Sequence, residues 1–112
     1  VWAYLLFASW PGLSLLMLRT YAEHRAHPDV AQRTATIEAS PLISFLFPNN
    51  NLHYVHHQRP RAPWYELPRL YRAGRERYRA ENGGYGFRGY SDLVRRHLLK
   101  AKEPGAQPLM WR

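Results

Sequence analysis

Asn49-Asn50-Asn51-Leu52-His53-Tyr54-Val55-His56-His57 decides how the rest of the chain is read. Three of the six histidines fall in this stretch, in the pattern H-x-x-H-H. On a helix, His56 and His57 lie at i+3 and i+4 from His53. Those offsets put the three imidazoles on one face, with Cβ atoms about 5–6 Å apart. Such a face can bind a metal, and neutral imidazole suits iron, zinc, copper or nickel. The asparagines before it are turn residues, with Asn50 or Asn51 placed to cap the helix. The chain has no cysteine, so further ligands must come from His, Asp, Glu or Asn. His24 is the obvious candidate, and Glu23 beside it reads as a carboxylate partner for the ring N–H that does not face a metal.

Charge is unevenly placed over the 112 residues. In residues 1–58, Arg19, Arg25 and Arg33 balance Glu23, Asp29 and Glu38. Residues 59–112 therefore hold the whole net charge of +8. A basic half fits nucleic acid or an anionic membrane surface. The apolar start favours the membrane, and the aromatics form no recognisable RNA-binding motif. Val1–Leu18 contains no charged residue and approaches the roughly 20 apolar residues of a membrane span. It has neither the basic start nor the small-residue cleavage site of a signal peptide. We read residues 1–19 as the last part of a span. Because the chain begins at Val1 inside an apolar run, we read it as a fragment. A buried helix of a soluble protein is the competing reading.

The polar turn after Arg19 carries His24, and Pro28 is expected to end the helix at His27. Residues 30–40 show no period and read as a loop. Pro41-Leu42-Ile43-Ser44-Phe45-Leu46-Phe47-Pro48 is apolar but far too short to span, which suits an interfacial or re-entrant segment. Pro60 and Pro63 stop the histidine helix. Residues 68–80 read as a basic helix with Pro68 in its first turn. Residues 83–89 read as a flexible glycine-rich break without phosphate-loop spacing. An amphipathic basic helix capped by Ser91 follows over 92–102. The final residues read as disordered. The expected fold is all-α: a membrane-embedded helical protein with a cytoplasmic helical cap. Residues 1–72 form its membrane-domain part, and residues 73–112 a basic cytoplasmic tail.

Assembled in this way, the chain resembles the C-terminal part of a membrane fatty acid desaturase. More broadly it resembles the histidine-box superfamily of membrane di-iron enzymes, which includes alkane hydroxylases and carotenoid ketolases. The resemblance lies in Asn51–His57 as the third histidine box, then Pro60, then Pro63-Trp64-Tyr65-Glu66-Leu67-Pro68. Thr20-Tyr21-Ala22-Glu23-His24-Arg25 is similar to the Tyr-x-Glu-His segment of alkane hydroxylases, whose histidine is a further ligand. The resemblance implies iron, two ions per complete enzyme, bound at the cytoplasmic face of an integral membrane protein. It implies a lipid acyl substrate and an electron donor such as ferredoxin or cytochrome b5, with no nucleic acid. The implied ligands are His24, His53, His56 and His57, supported by Glu23 and Asn50. The first two histidine boxes are absent, so these four cannot build a two-iron site, and the chain alone is expected to be inactive. Desaturation, hydroxylation and ketolation remain open on these residues. A membrane-anchored metal-binding or partner-binding protein is the non-enzymatic alternative.

Overall fold

A computed structural model describes residues 1–102. The tail expected to be disordered lies outside the described residues. Helices dominate, as expected, but the apolar entry is not one regular α-helix. Helix α1 (Trp2–Tyr4) passes into a π-helical stretch (Leu5–Ser9), and α2 follows (Trp10–Glu23). Pro11 gives a physical reason for the irregularity. It has no N–H for the carbonyl four residues back, and its ring crowds that carbonyl, which a wider turn relieves. The 14 residues of α2 extend about 21 Å at 1.5 Å per residue, against a hydrocarbon core of about 30 Å. Among the described residues, no helix is long and apolar enough to cross a membrane. The expected span over 1–19 is thus not present as one regular α-helix. Its apolar side chains, among them Trp2, Phe7, Trp10 and Met17, stand exposed.

The end of α2 also differs from expectation. It stops at Glu23, and His24 is extended (φ −123°, ψ 150°). His24 forms an antiparallel bridge with Thr34. The Ala35 N–H donates to the Glu23 carbonyl at 2.8 Å, and the Arg25 N–H to the Arg33 carbonyl at 2.9 Å. These strand-like bonds replace the next helical turn well before Pro28. The segment read as a loop folds back through a 3₁₀ turn (Val30–Arg33) into β1 (Thr36–Ile37).

Beyond β1 come α3 (Pro41–Leu46), a 3₁₀ turn (Asn50–Leu52) and α4 (His53–Gln58). A second 3₁₀ turn (Trp64–Glu66) leads into α5 (Leu67–Glu81), then β2 (Gly86–Phe87) and α6 (Tyr90–His97). β1 and β2 pair in parallel, Thr36 opposite Gly86 and Ile37 opposite Phe87. The fold is mostly helical, consistent with the all-α expectation, and this small two-stranded sheet is an addition to it. The glycine-rich 83–89 segment leads into β2 rather than forming a flexible break. Gly83 and Gly84 turn the chain at φ +65° and +71°, a region that costs a residue with a Cβ. A Cβ on Gly86 would lie 2.7 Å from the Thr36 carbonyl oxygen, so glycine lets the strands approach. Helix α6 begins at Tyr90 with Gly89 at its cap, and Ser91 makes no capping bond.

Two apolar clusters carry the core. Ala22, Ala35, Ile37, Tyr85, Phe87 and Leu93 form one. Leu52, Tyr54, Val55, Leu67, Tyr71 and Tyr78 form the other. Full burial of such side chains contributes about 1.5–3 kcal/mol each. The boundary expected at 72/73 falls inside α5, and residues from both sides of it build both clusters. β1 is the seam. It pairs with β2, and the carbonyl of Ala35, the residue just before it, accepts from the Tyr54 N–H of α4.

Candidate metal centre

The three asparagines before the histidines do not cap α4, whose cap position is Leu52 with no side-chain bond. Each instead ties the segment to a different element. Asn49 donates to the Trp64 carbonyl at 3.1 Å, Asn50 to Glu23 Oε1 at 2.5 Å, and Asn51 to the Ile37 carbonyl at 2.7 Å. Asn49 itself sits at φ 54°, a left-handed conformation that asparagine tolerates. The bond from Asn51 is fully buried and those from Asn49 and Asn50 are part-buried, and such bonds are costly to leave unmade. Their effect is to fix where α4 starts, and so where His53 points.

His53 Nε2 lies 3.1 Å from His24 Nε2 and 3.2 Å from His57 Nε2. The ligand atoms of His24, His53 and His57 all lie within 4.8 Å of one another. Two imidazoles on one cation, at about 2.0–2.1 Å each, have nitrogens roughly 3.0–3.4 Å apart. The two short spacings match that. The donor set fits a cation in a second way. One His53 nitrogen faces two imidazole nitrogens, yet it holds either one proton or one lone pair. It cannot satisfy both neighbours by hydrogen bonding, whereas lone pairs converging on a cation are all used. Burial, reinforced by the neighbouring imidazoles, pushes His53 down to about 3. Burial also lowers His57. His53 and His57 are thereby kept neutral, the form that binds metal.

His56 stands apart from this group. Its ring stacks beside His53, with centroids 5.9 Å apart, and lies 6.0 Å from His57. The i+4 spacing therefore brings His57 onto His53, and the i+3 spacing leaves His56 on the flank. Glu23 also sits differently from expectation. Its carboxylate is not behind a ring. Oε2 lies 4.0 Å from His53 Nε2, on the side where the nitrogens converge. Oε1 takes the bonds from Arg19 Nε at 2.6 Å and from Asn50. Buried Glu23 thus presents one oxygen to the cluster while two donors hold the other. His53 Nδ1 is buried with no hydrogen-bond partner among the described residues.

Two contributors were not legible in the sequence. Arg19 holds Glu23, and an i,i+4 offset on an expected helix was the available signal. The Lys102 ammonium donates to the carbonyls of Tyr21 and His24, cations being favourable at a helix C-terminus. Nothing in the sequence linked Lys102 to that end of α2.

Fold and cluster together define a helical protein in which histidines from two distant segments converge beside a carboxylate, a donor set that fits a metal cation. The family model for fatty acid desaturases matches residues 1–89, so the match takes in both histidine segments and β2. The chain belongs to the fatty acid desaturase family. Membership points in general terms to an oxidoreductase of lipid metabolism that uses iron in a membrane setting. No curated protein and no solved structure matches the chain significantly.

Proposed function

We propose that this chain is the part of a membrane-bound, O₂-dependent fatty acid desaturase that carries its third histidine box, and that the complete enzyme introduces a double bond into a lipid acyl chain. The convergence of His24, His53 and His57, inside the region matched to the family, is the observation that carries this reading. His24, His53 and His57 would together hold one iron. His56, on the flank, is available to the second, and the remaining ligands come from another part of the enzyme. When bound, the iron pair supplies the oxidising power to remove hydrogen from an unactivated C–H bond. Glu23 contributes negative charge beside the ligand nitrogens, with Arg19 and Asn50 fixing its orientation. Burial keeps His53 unprotonated, so protons do not compete for its lone pair near neutral pH. The apolar 1–19 segment lies in the bilayer. The arginine-rich surface after residue 58 lies on the cytoplasmic side, where a donor such as ferredoxin or cytochrome b5 delivers electrons.

The test is product and metal analysis of the complete enzyme and of its His24→Ala and His53→Ala forms. The expected result is a new double bond in the product, and loss of both activity and bound iron in each variant. An inserted oxygen in place of the double bond would replace desaturation with hydroxylation. Normal turnover in either variant would remove that residue from the ligand set.

A further inference from the structure

Helix α3 turns an apolar face outward. Leu42, Phe45 and Leu46 are 63–68% exposed. Phe45 meets Trp64 edge to face, with ring centroids 6.1 Å apart, and Trp64 meets Tyr65 at 5.9 Å. α3 and the 3₁₀ turn at 64–66 thus share one exposed apolar and aromatic patch, tied from beneath by the Asn49 bond to the Trp64 carbonyl. An apolar cavity of about 600 Å³ opens between α3 and α5, with Pro41, Phe45, Leu52, Pro68 and Arg72 on its walls. Exposed arginines flank the patch in sequence: Arg59, Arg61, Arg69 and Arg72, against the single acid Glu66.

We infer that this patch is a membrane-contact surface, separate from the apolar 1–19 segment, that seats α3 and Trp64–Tyr65 in the headgroup–acyl boundary of an anionic bilayer. Six residues of helix are about 9 Å long, far short of the roughly 30 Å of a span, and one exposed apolar face suits a helix lying in the interface plane. Trp and Tyr suit that depth because their rings carry both apolar and polar edges. Arg72 on the cavity wall and the exposed arginines near Trp64 in sequence match anionic headgroups. The cavity gives a lipid chain an apolar wall beside a guanidinium. A protein partner would have to match the same excess of positive charge around a small apolar centre. The inference adds a second contact to the membrane reading above and is independent of the metal assignment.

Tryptophan fluorescence tests it in the full chain, in phosphatidylcholine–phosphatidylglycerol vesicles with and without brominated phosphatidylcholine. One protein keeps only Trp64, through Trp2→Phe, Trp10→Phe and Trp111→Phe. A second keeps only Trp10. The expected result is that Trp64 emission shifts to shorter wavelength and is lost on bromination. Adding Leu42→Ser and Phe45→Ser should reverse both changes while circular dichroism stays unchanged. Arg69→Gln with Arg72→Gln should weaken the response to phosphatidylglycerol. Trp64 emission typical of water and indifferent to bromine overturns the inference. So does a blue-shifted emission that bromine leaves alone, which means cover by protein or by a second copy. In either case, quenching of Trp10 would leave the membrane reading of residues 1–19 standing.

Discussion

The Nε2 atoms of His24 and His53 lie 3.1 Å apart, although 29 residues separate them in the chain. One buried backbone unit makes the meeting. The Ala35 N–H bonds the carbonyl of Glu23, the residue before His24, and the Ala35 carbonyl accepts from the N–H of Tyr54, the residue after His53. The two histidine segments are thus clamped to opposite sides of a single residue at the head of β1.

Metal binding by the chain should follow this geometry. Cobalt(II) titration, read by its visible absorption, should show tight binding for the wild type. His24→Ala, His53→Ala and His57→Ala should each weaken it by more than the roughly 10–100-fold that outer partners of a metal site are worth. His56→Ala should leave the affinity of the isolated chain nearly unchanged. A His56→Ala loss equal to that of His53→Ala would contradict the arrangement of three imidazoles with the fourth on the flank.

The clamp makes a sharper prediction. Ala35 is 1% exposed, so a larger side chain there overpacks the first cluster at a cost of about 1–3 kcal/mol. Ala35→Leu should lower the unfolding temperature and weaken cobalt binding together, although residue 35 offers no ligand atom. A truncation elsewhere in the same cluster gives the contrast: Leu93→Ala should cost about 2–5 kcal/mol while the folded fraction keeps its cobalt affinity. Equal affinity for wild type and Ala35→Leu would show that β1 does not set the spacing of the histidines.

Asn50 supports the cluster only through Glu23. Asn50→Ala removes one of the two donors on Glu23 Oε1. Loss of such an outer partner should lower cobalt affinity about 10–100-fold. The stability cost should be about 1–2 kcal/mol, since a charge-assisted bond is lost. Glu23→Gln should lower the affinity further, because it also removes the charge near His53. If Glu23→Gln bound cobalt as the wild type does, the approach of Oε2 to His53 would have no part in the site.

Much of this could be read from residue types alone, and the exceptions have physical causes. The H-x-x-H-H spacing brought His53 and His57 together on one face of α4, and the prolines bounded α4 and α5. The pairing of β1 with β2 was hidden because two-residue strands carry no alternation to detect. The asparagines read locally as caps, but each found a buried tertiary partner, and such bonds are invisible to a local rule. Glu23 was read as standing behind a ring for the same reason. Its orientation is set by Arg19 one turn back and by Asn50 across the fold. The interrupted entry helix was foreshadowed by Pro11, whose effect the apolar composition of the run masked.

The remaining prediction concerns Glu38, which fastens β1 to α5. Its carboxylate takes Arg75 at 2.8 and 3.1 Å and the Tyr71 hydroxyl at 2.5 Å. The bonds from Arg75, more than the hydroxyl of Tyr71, hold Glu38 down at about 2, against an ordinary 4.5. The folded pKa is depressed, so the unfolded chain binds more protons between those two values. Glu38 therefore adds stability that is complete above 4.5 and is lost as pH falls toward 2. Both partners are partly exposed, and screening by solvent limits the contribution to about 1 kcal/mol or less. Chemical unfolding in mild detergent across that range should show wild type and Glu38→Gln converging as pH falls. The comparison isolates Glu38, because Asp29, Asp92 and His53 titrate equally in both proteins. A constant difference down to the lowest pH would mean that Glu38 acts through packing rather than through its charge.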